Sequence, residues 1–100
     1  MSKYTKETWG LEKSLKLPEV EYAASIISLE SGREICRIVN YETSIEETKA
    51  NAQLVAAAPE LLENAKSIIR ELFVFGSVHN PEIVDNLEKA IKKAEGENNA

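Results

Sequence analysis

Strand-like patterns fill the first forty residues of the chain. Residues 8–17 alternate loosely between apolar and polar side chains, and the runs 22–29 and 34–39 are rich in isoleucine and other residues that favour strands. The segment Glu-Ser-Gly-Arg separates the two runs, and Gly32 suits the left-handed position of a three-residue loop. The pattern therefore predicts three antiparallel strands, of which the last two form a hairpin.

The predicted hairpin has a definite register. Four facing pairs define it: Leu29 with Arg33, Ile27 with Ile35, Ile26 with Cys36, and Ala24 with Ile38. The two members of each pair point to the same side of the sheet, so both faces would carry apolar side chains. One face could cover the helices, and the other would need cover from the first strand or from another subunit.

Helical signals begin at Ser44. Ser44 and Glu47 have the spacing of a capping box, in which the hydroxyl accepts from an early N–H and the carboxylate reaches back to the Ser44 N–H. We predict a first helix from Ser44 to about Ala57. Pro59 either kinks this helix or opens a second one, because proline lacks an amide N–H and clashes with the preceding turn. An apolar stripe with helical spacing follows: Leu61, Leu62, Ala65, Ile68, Ile69, Leu72 and Phe73.

The last helix has its own start and stop signals. Asn80 suits the N-cap, Pro81 the first helical position and Gly96 the end, with residues 97–100 expected to be a frayed tail. The fold class predicted from these elements is α+β. A small antiparallel sheet of about three strands, within 8–40, precedes two or three helices, within 44–95, that pack on one face of the sheet in a single domain.

Alanine dominates the predicted first helix. Small side chains allow another backbone to approach closely, and this has two interpretations. The helix packs tightly within the chain, or it forms a subunit interface through Ala50, Ala52, Ala56 and Ala57. The alanines, together with the apolar side chains on both faces of the hairpin, predict a homodimer or a higher homo-oligomer.

Charge argues against binding to nucleic acid. The chain has 12 basic and 17 acidic residues and a net charge of −5, and the whole acidic excess lies in residues 41–100. An acidic protein repels a phosphate backbone, although a local basic pocket is still compatible with this composition. We therefore expect no nucleic-acid partner.

The cysteine count and the hydropathy of the sequence limit the cellular location and the chemistry that we expect. Cys36 is the single cysteine, so neither an intramolecular disulfide nor a thiolate metal cluster can form. The start of the sequence lacks the features of a signal peptide, and no apolar run approaches the length of a membrane span. We expect a protein of the bacterial cytoplasm with no metal, no cofactor and no membrane partner.

Two segments resemble a family of small proteins encoded by bacteriophages and prophages. Members open with His-Thr-Pro-Gly-Pro-Trp, of which this chain keeps Thr5 and Trp9, and later carry a block close to Ala-Asn-Ala-Arg-Leu-Ile-Ala-Ala-Ala-Pro-Glu-Leu-Leu-Glu-Ala-Leu. Residues 50–65 are nearly identical to that block, with Gln53 and Val55 replacing the usual Arg and Ile. The resemblance implies a phage or prophage origin and a cytoplasmic site of action, and it implies no catalytic residues.

Candidate chemistry favours binding over catalysis. His79 is the only histidine, and the sequence contains no metal-binding spacing and no glycine-rich phosphate loop. A nucleotide pocket needs an aromatic face for the base and cations for the phosphates. The candidates for these roles are Tyr4, Trp9, Arg33, Arg37, Arg70, Phe73 and Phe75.

Two functional hypotheses follow from these observations. The order of strands and helices is similar in outline to phage sponge proteins, which sequester nucleotide immune signals such as cyclic nucleotides or ADP-ribose derivatives. The alternative is an acidic antagonist or regulator that binds a host defence or transcription protein. Its charge would come from Glu42, Glu46, Glu60, Glu63, Glu71, Asp85 and Glu88.

Overall fold

The computed structural model describes residues 3–17, 20–75 and 80–96. Three strands precede two helices: β1 (Trp9–Leu17), β2 (Val20–Ser28), β3 (Glu34–Val39), α1 (Ile45–Phe75) and α2 (Pro81–Ala94). The predicted α+β class is confirmed. The described residues divide into two compact units. We call Thr5–Pro59 the sheet unit, and Lys3 and Tyr4 together with the described part of 60–96 the helix unit.

The sheet is antiparallel with strand order β1-β2-β3, so β2 is central. Its hairpin differs from the prediction near the turn. The Ser28 N–H donates to the Arg33 carbonyl and the Gly32 N–H donates to the Ser28 carbonyl, both at 2.8 Å, so four residues form the loop instead of three. Gly32 has a φ of 74°, the left-handed conformation predicted for it.

The longer loop makes part of the predicted register wrong. Ile27 faces Glu34 and not Ile35, and Leu29 lies in the turn instead of facing Arg33. Ile35 is then an extra residue on β3, which forms a bulge. Beyond the bulge, the residues of β2 and β3 face each other in the predicted register. The other two predicted pairs are therefore confirmed: Ile26 with Cys36 and Ala24 with Ile38.

One face of the sheet carries the core. Ala24 and Ile26 of β2 are fully buried with Ala52 of α1. Several partly buried side chains surround this centre: Trp9, Tyr22, Cys36, Ile38, Val55 and Ala56. Burial also raises the pKa of the Cys36 thiol, which disfavours the reactive thiolate.

The opposite face of the hairpin is more polar than the predicted register implied. Ser25 lies on this face and is buried, and its hydroxyl donates to Glu34 Oε2 at 2.6 Å. Because Ile27 faces Glu34, the predicted Ile27–Ile35 apolar pair does not form. A carboxylate that accepts hydrogen bonds occupies that position of β3.

The start of α1 follows the predicted capping box. The Glu47 N–H donates to Ser44 Oγ at 3.0 Å, and the Ser44 N–H donates to Glu47 Oε1 at 3.4 Å. One turn on, Thr48 is fully buried and its hydroxyl donates to the Ser44 carbonyl at 2.9 Å. These bonds satisfy polar groups that the first turn of a helix leaves unpaired.

Of the two alternatives predicted at Pro59, the start of a second helix is wrong, as is the end of the first helix near Ala57. Pro59 lies inside one 31-residue helix, and only two helices are present in the described residues. Proline cannot donate to the carbonyl four residues before it, so one helical hydrogen bond is missing at this point. The apolar and alanine-rich positions on both sides of Pro59 continue the helical period, and this offsets that loss.

The start of α2 agrees with the sequence signals. The Asn80 side chain accepts from the backbone N–H groups of Glu82 and Ile83, and Pro81 is the first helical residue. Gly96 follows the helix with a φ of 76°. No residue of α2 is buried, so its apolar stripe is only partly covered.

Candidate functional site

An open groove of about 260 Å³ runs along one side of the helix unit. Lys66, Ile69 and Arg70 line it from α1, and α2 contributes Glu88, Ile91, Lys92 and Glu95. The spacings of three and four residues place the contributions of each helix on one face. Lys66 contacts Glu95, which lies at the C-terminal end of α2, far from the connection between the two helices. The two helices therefore run antiparallel.

A chain of polar contacts closes one end of the groove. Lys66 Nζ lies 2.9 Å from Glu95 Oε2 and 3.8 Å from Glu63 Oε2. The hydrogen bond to Glu95 is the main reason that the pKa of Lys66 is raised. The Tyr4 hydroxyl donates to Glu63 Oε2 at 2.5 Å, and this bond raises the pKa of Tyr4 to about 12. Lys66 is therefore engaged with carboxylates and is not the main cation available to a ligand.

Arg70 and Lys92 are the exposed cations of the groove. The Arg70 guanidinium donates to Ser67 Oγ at 3.1 Å. Because the serine hydroxyl is neutral, it does not compensate the positive charge of Arg70. Phe73 lies one turn beyond Ile69 on the same side of α1, and 65% of it is exposed. The predicted candidates Arg70 and Phe73 are thus brought to one side of the helix unit.

The arginines of the sheet unit have partners within the chain. Arg37 Nε donates to both carboxylate oxygens of Glu34, at 2.8 and 2.9 Å. Hydrogen bonds from Ser25 and then from Arg37 lower the pKa of Glu34. Arg37, a predicted ligand residue, is thus paired with Glu34 within the chain.

Arg33 belongs to a second polar cluster, at the β2–β3 turn. Its guanidinium lies 3.4 Å from Glu7 Oε1, which also accepts from the Ser31 hydroxyl at 3.1 Å. Hydrogen bonds, from Ser28 first and then from Ser31 and Arg33, lower the pKa of Glu7. Glu30 accepts from the Thr8 N–H and hydroxyl at about the same distances, 3.0 to 3.1 Å. These contacts hold the segment before β1 against the turn.

The remaining candidate residues have structural positions. The Trp9 indole N–H donates to the Thr5 carbonyl at 3.0 Å, and the ring packs against the core. Phe75 is the last residue of α1, and its side chain lies outside the described part, as does His79. Ala52 is buried within the chain and Ala56 is partly buried, whereas Ala50 and Ala57 are exposed. The side chain of Ala52 therefore packs inside the chain, as the first interpretation of the alanines has it.

Sequence reasoning missed most of the groove. It identified Arg70 as a ligand residue and named Glu88 only for the acidic surface of a protein antagonist, and it did not name Lys92, one turn after Glu88 on α2. The signal was the pair of four-residue spacings, Lys66 to Arg70 and Glu88 to Lys92. It could have been found only by pairing the two helices in an antiparallel register.

Within residues 3–17, 20–75 and 80–96, no cluster of three or more His, Cys, Asp or Glu could hold a metal ion. Neither α1 nor α2, as described, is long and apolar enough to cross a membrane. Both findings concern only these described residues.

Comparison with known proteins places the chain in a family. The family model described as Salmonella phage P22 protein Y8K6 matches residues 1–98. No curated protein and no solved structure matches the chain. The match agrees with the resemblance to small phage proteins, although it bears on the family and not on the individual motif residues. Since it covers nearly the whole sequence, the chain belongs to the family of Salmonella phage P22 protein Y8K6.

Proposed function

We propose that this phage accessory protein binds and sequesters a nucleotide-type small molecule, most concretely a defence signal made by the infected cell. The observation that carries the proposal is the mixed lining of the groove. Cations, a carboxylate and apolar side chains lie within one open space of about 260 Å³. This volume is slightly below the usual range for a drug-sized ligand, which suits a ligand that is only partly enclosed.

Each class of lining residue matches one part of a nucleotide. Arg70 and Lys92 are suited to phosphate oxygens, since guanidinium and ammonium groups form charge-assisted hydrogen bonds with them. Glu88 would repel a bare phosphate, but it accepts hydrogen bonds from a ribose hydroxyl or a base amine. Ile69 and Ile91 offer an apolar surface for the base. The groove thus favours a molecule with an anionic end and a neutral end that carries hydrogen-bond donors.

Phe73 supplies the aromatic surface that the groove lining lacks. It is exposed on the same side of α1 as Ile69 and Arg70, at the helical spacing of a neighbouring turn. Stacking of a base on an aromatic ring contributes about 1–3 kcal/mol. Arg70 and Phe73, three residues apart, would then hold the phosphate and the base of one ligand.

The residues that line the groove favour binding of a ligand over its chemical conversion. The lining contains lysine, arginine, glutamate and isoleucine, and no serine, cysteine or histidine that could act as an activated nucleophile. Two carboxylates, Glu88 and Glu95, are present, but Glu95 accepts from Lys66. A sequestering role requires affinity alone, and membership of a phage protein family is compatible with action against a host signal.

The first experiment is native mass spectrometry of the full chain mixed with cyclic nucleotides and ADP-ribose derivatives. We expect a stoichiometric adduct with one class of nucleotide. Arg70→Ala and Lys92→Ala should each weaken binding about tenfold, which corresponds to one charge-assisted contact of roughly 1.4 kcal/mol. Phe73→Ala should weaken binding by a similar factor if the base stacks on the ring.

Arg37→Ala is the matched control, because it removes an arginine of the same charge whose partner is Glu34. It should leave the affinity unchanged. An adduct that is lost with Arg37→Ala and kept with Arg70→Ala would move the ligand to the sheet unit and contradict the assignment of the groove. If no nucleotide binds, the proposal fails. The acidic antagonist of a host protein then becomes the leading hypothesis, to be tested by pull-down.

A further inference from the structure

The register of α1 and α2 orders the charged side chains along the groove. Lys66 Nζ lies 2.9 Å from Glu95 Oε2 and the helices run antiparallel, so each step forward on α1 corresponds to a step back on α2. At a rise of about 1.5 Å per residue, Arg70 lies about 6 Å along the groove from this pair, and Lys92 lies about 4.5 Å along it. The two exposed cations therefore lie at nearly the same level, in the middle of the groove.

Carboxylates lie on both sides of these two cations. Glu95 is at one end of the groove, and Glu88, seven residues earlier on α2, lies about 10 Å away at the other end. Glu88 is half-buried, whereas Arg70 and Lys92 are exposed. The groove thus has positive charge at its centre and negative charge at each end.

The charges that line the groove sum to a small positive value. Three lining cations and two lining carboxylates leave a net charge of +1. The ion pair Lys66–Glu95 is balanced in itself, so the excess comes from Arg70 and Lys92, reduced by Glu88. The whole chain has a net charge of −5, so its long-range field does not attract a highly charged anion. The ligand that matches this lining has one negative charge.

The groove offers the base of a nucleotide one particular end. Phe73 follows Lys66 by seven residues, so it lies about 10 Å along the groove, level with Glu88. Phe73 is 65% exposed, and the Glu88 carboxylate can accept hydrogen bonds from a base amine or a ribose hydroxyl. With the base at this end and the first phosphate at Arg70, a chain of further phosphates would extend towards Glu95.

Phosphate groups differ in how they fit this arrangement. A phosphodiester has one negative charge, which the central cations can bind while both carboxylates stay at a distance. A phosphate chain adds charge with every unit. It would approach Glu95, and Glu63 also lies at that end, with its Oε2 3.8 Å from Lys66 Nζ. Like charges are then brought together, which lowers the affinity for the longer ligand.

We propose that the groove selects a nucleotide with a single phosphodiester group, as in a cyclic mononucleotide, and rejects nucleoside triphosphates. The inference rests on the proposed function, because it concerns the ligand of the same groove. Arg70 and Lys92 bind the phosphodiester. Glu95 and Glu63 determine specificity, because their negative charges repel any further phosphate.

Isothermal titration calorimetry of the full chain tests the proposal with ligands that share one base. The ligands are the 3′,5′-cyclic monophosphate, the 5′-monophosphate and the 5′-triphosphate of adenosine and of guanosine. For the base that binds, the cyclic nucleotide should have the highest affinity. The affinity should fall about tenfold for the monophosphate, which has more charge, and at least about tenfold again for the triphosphate.

Glu95→Gln should reduce this discrimination. The change removes a negative charge and keeps an oxygen that accepts from Lys66, so the ratio of cyclic-nucleotide to triphosphate affinity should fall about tenfold. Glu63→Gln, which keeps an acceptor for the Tyr4 hydroxyl, should lower the ratio by a smaller factor because Glu63 lies further from the groove.

Glu12→Gln is the matched control. It makes the same charge change at an exposed position of the sheet unit and should leave the ratio unchanged. Both affinities are measured on one sample, so a loss of folded protein in any variant weakens them by the same factor and cancels in the ratio.

Two results would overturn this inference and leave the proposed function in place. The first is a triphosphate that binds the wild-type chain as tightly as the cyclic nucleotide, because charge would then not limit the choice of ligand. The second is an unchanged affinity ratio in both Glu95→Gln and Glu63→Gln, because these carboxylates would then not repel the further phosphates. If no nucleotide binds at all, the inference fails together with the proposed function.

Discussion

The two units of this chain are stabilised in different ways. The sheet unit buries Ala24, Ile26 and Ala52 completely and surrounds them with partly buried side chains. Among the described side chains of the helix unit none is buried, and its identified contacts include the ion pair Lys66–Glu95 and the hydrogen bond Tyr4–Glu63. The pair Lys66–Glu95 is partly buried, with side chains 26% and 10% exposed, so the desolvation of both charges offsets part of their attraction. The sheet unit therefore depends on fully buried apolar side chains, whereas the described part of the helix unit depends on partly buried side chains and polar contacts.

This contrast agrees with the assignment of the proposed binding groove to the helix unit. Segments with few buried contacts open and move at low cost, and binding sites are often found in them. A partner that binds only the ordered form stabilises it by mass action. The groove gives the helix unit a surface where a ligand could do so.

The largest expected effect is loss of the core in the sheet unit. Ile26→Ala removes the largest fully buried apolar side chain and should lower the free energy of unfolding by about 2–5 kcal/mol. An equilibrium urea titration measures the change. Leu54→Ala is the control, because Leu54 is 64% exposed and its loss should change the free energy by no more than about 0.5 kcal/mol. Equal losses in the two variants would contradict the position of the core.

The next effect concerns two alanines of α1 with opposite environments. Ala52→Leu inserts three carbon atoms where no space is left and should cost about 1–3 kcal/mol in the same titration. Ala57→Leu makes the same change at an exposed position and should be nearly neutral. A costly Ala57→Leu beside a neutral Ala52→Leu would restore the interface interpretation of the alanine-rich helix.

Two helix caps allow the units to be compared by the same chemical change. Ser44→Ala and Asn80→Ala each remove a side chain that accepts from early N–H groups, at a cost of about 1 kcal/mol. In the sheet unit, we expect amide hydrogen exchange in the first turns of α1 to stay protected. In the helix unit, exchange in α2 should accelerate by about a factor of five, because no buried residue holds the helix in place. Equal acceleration in α1 and α2 would mean that the units are equally stable.

The smallest effect lies at Tyr4. Its hydrogen bond to Glu63 raises the pKa of the phenol from 10.0 to about 12, so the folded chain favours the protonated form. The contribution to stability is complete below pH 10 and is lost as the pH rises towards 12. Tyr4→Phe should lower the free energy of unfolding by no more than about 1 kcal/mol at neutral pH.

Titration of phenolate absorbance measures the Tyr4 pKa directly. The last ionisation step of the folded chain should disappear in Tyr4→Phe. It should remain in Tyr41→Phe, which alters a ring that is 73% exposed. If the last step survives in Tyr4→Phe, the phenol does not donate to Glu63 in solution.

Local signals in the sequence predicted the parts of the fold that depend on neighbouring residues. The capping box at Ser44, the cap at Asn80 and the left-handed Gly32 are confirmed, because each requires only a few residues and a fixed geometry. The predicted alternative of a second helix starting at Pro59 is wrong, because helix propensity on both sides outweighs one missing hydrogen bond. The hairpin register was wrong near its turn because Ser28 Oγ accepts from the Ser31 N–H at 3.1 Å within a four-residue loop.

The candidate site was less predictable because it depends on contacts between distant residues. Arg37 was predicted as a ligand residue, but it is paired with Glu34 because of their positions around the Ile35 bulge. The groove needs the antiparallel register of α1 and α2, which puts Lys66 beside Glu95, 29 residues further along the chain. Helical spacing places Arg70 and Phe73 on one face of α1. It does not determine which face of α2 lies beside them.

The position of Trp9 gives the sheet unit an optical signal of its own. It is the only tryptophan in the sequence, its indole donates to the Thr5 carbonyl, and both residues belong to the sheet unit. Tryptophan fluorescence therefore reports the sheet unit alone, while circular dichroism draws most of its signal from α1 and α2, which together extend over both units. Denaturation curves from the two methods coincide only if both units unfold in one cooperative step. One indole ring thus allows the cooperativity of the whole chain to be measured without any label.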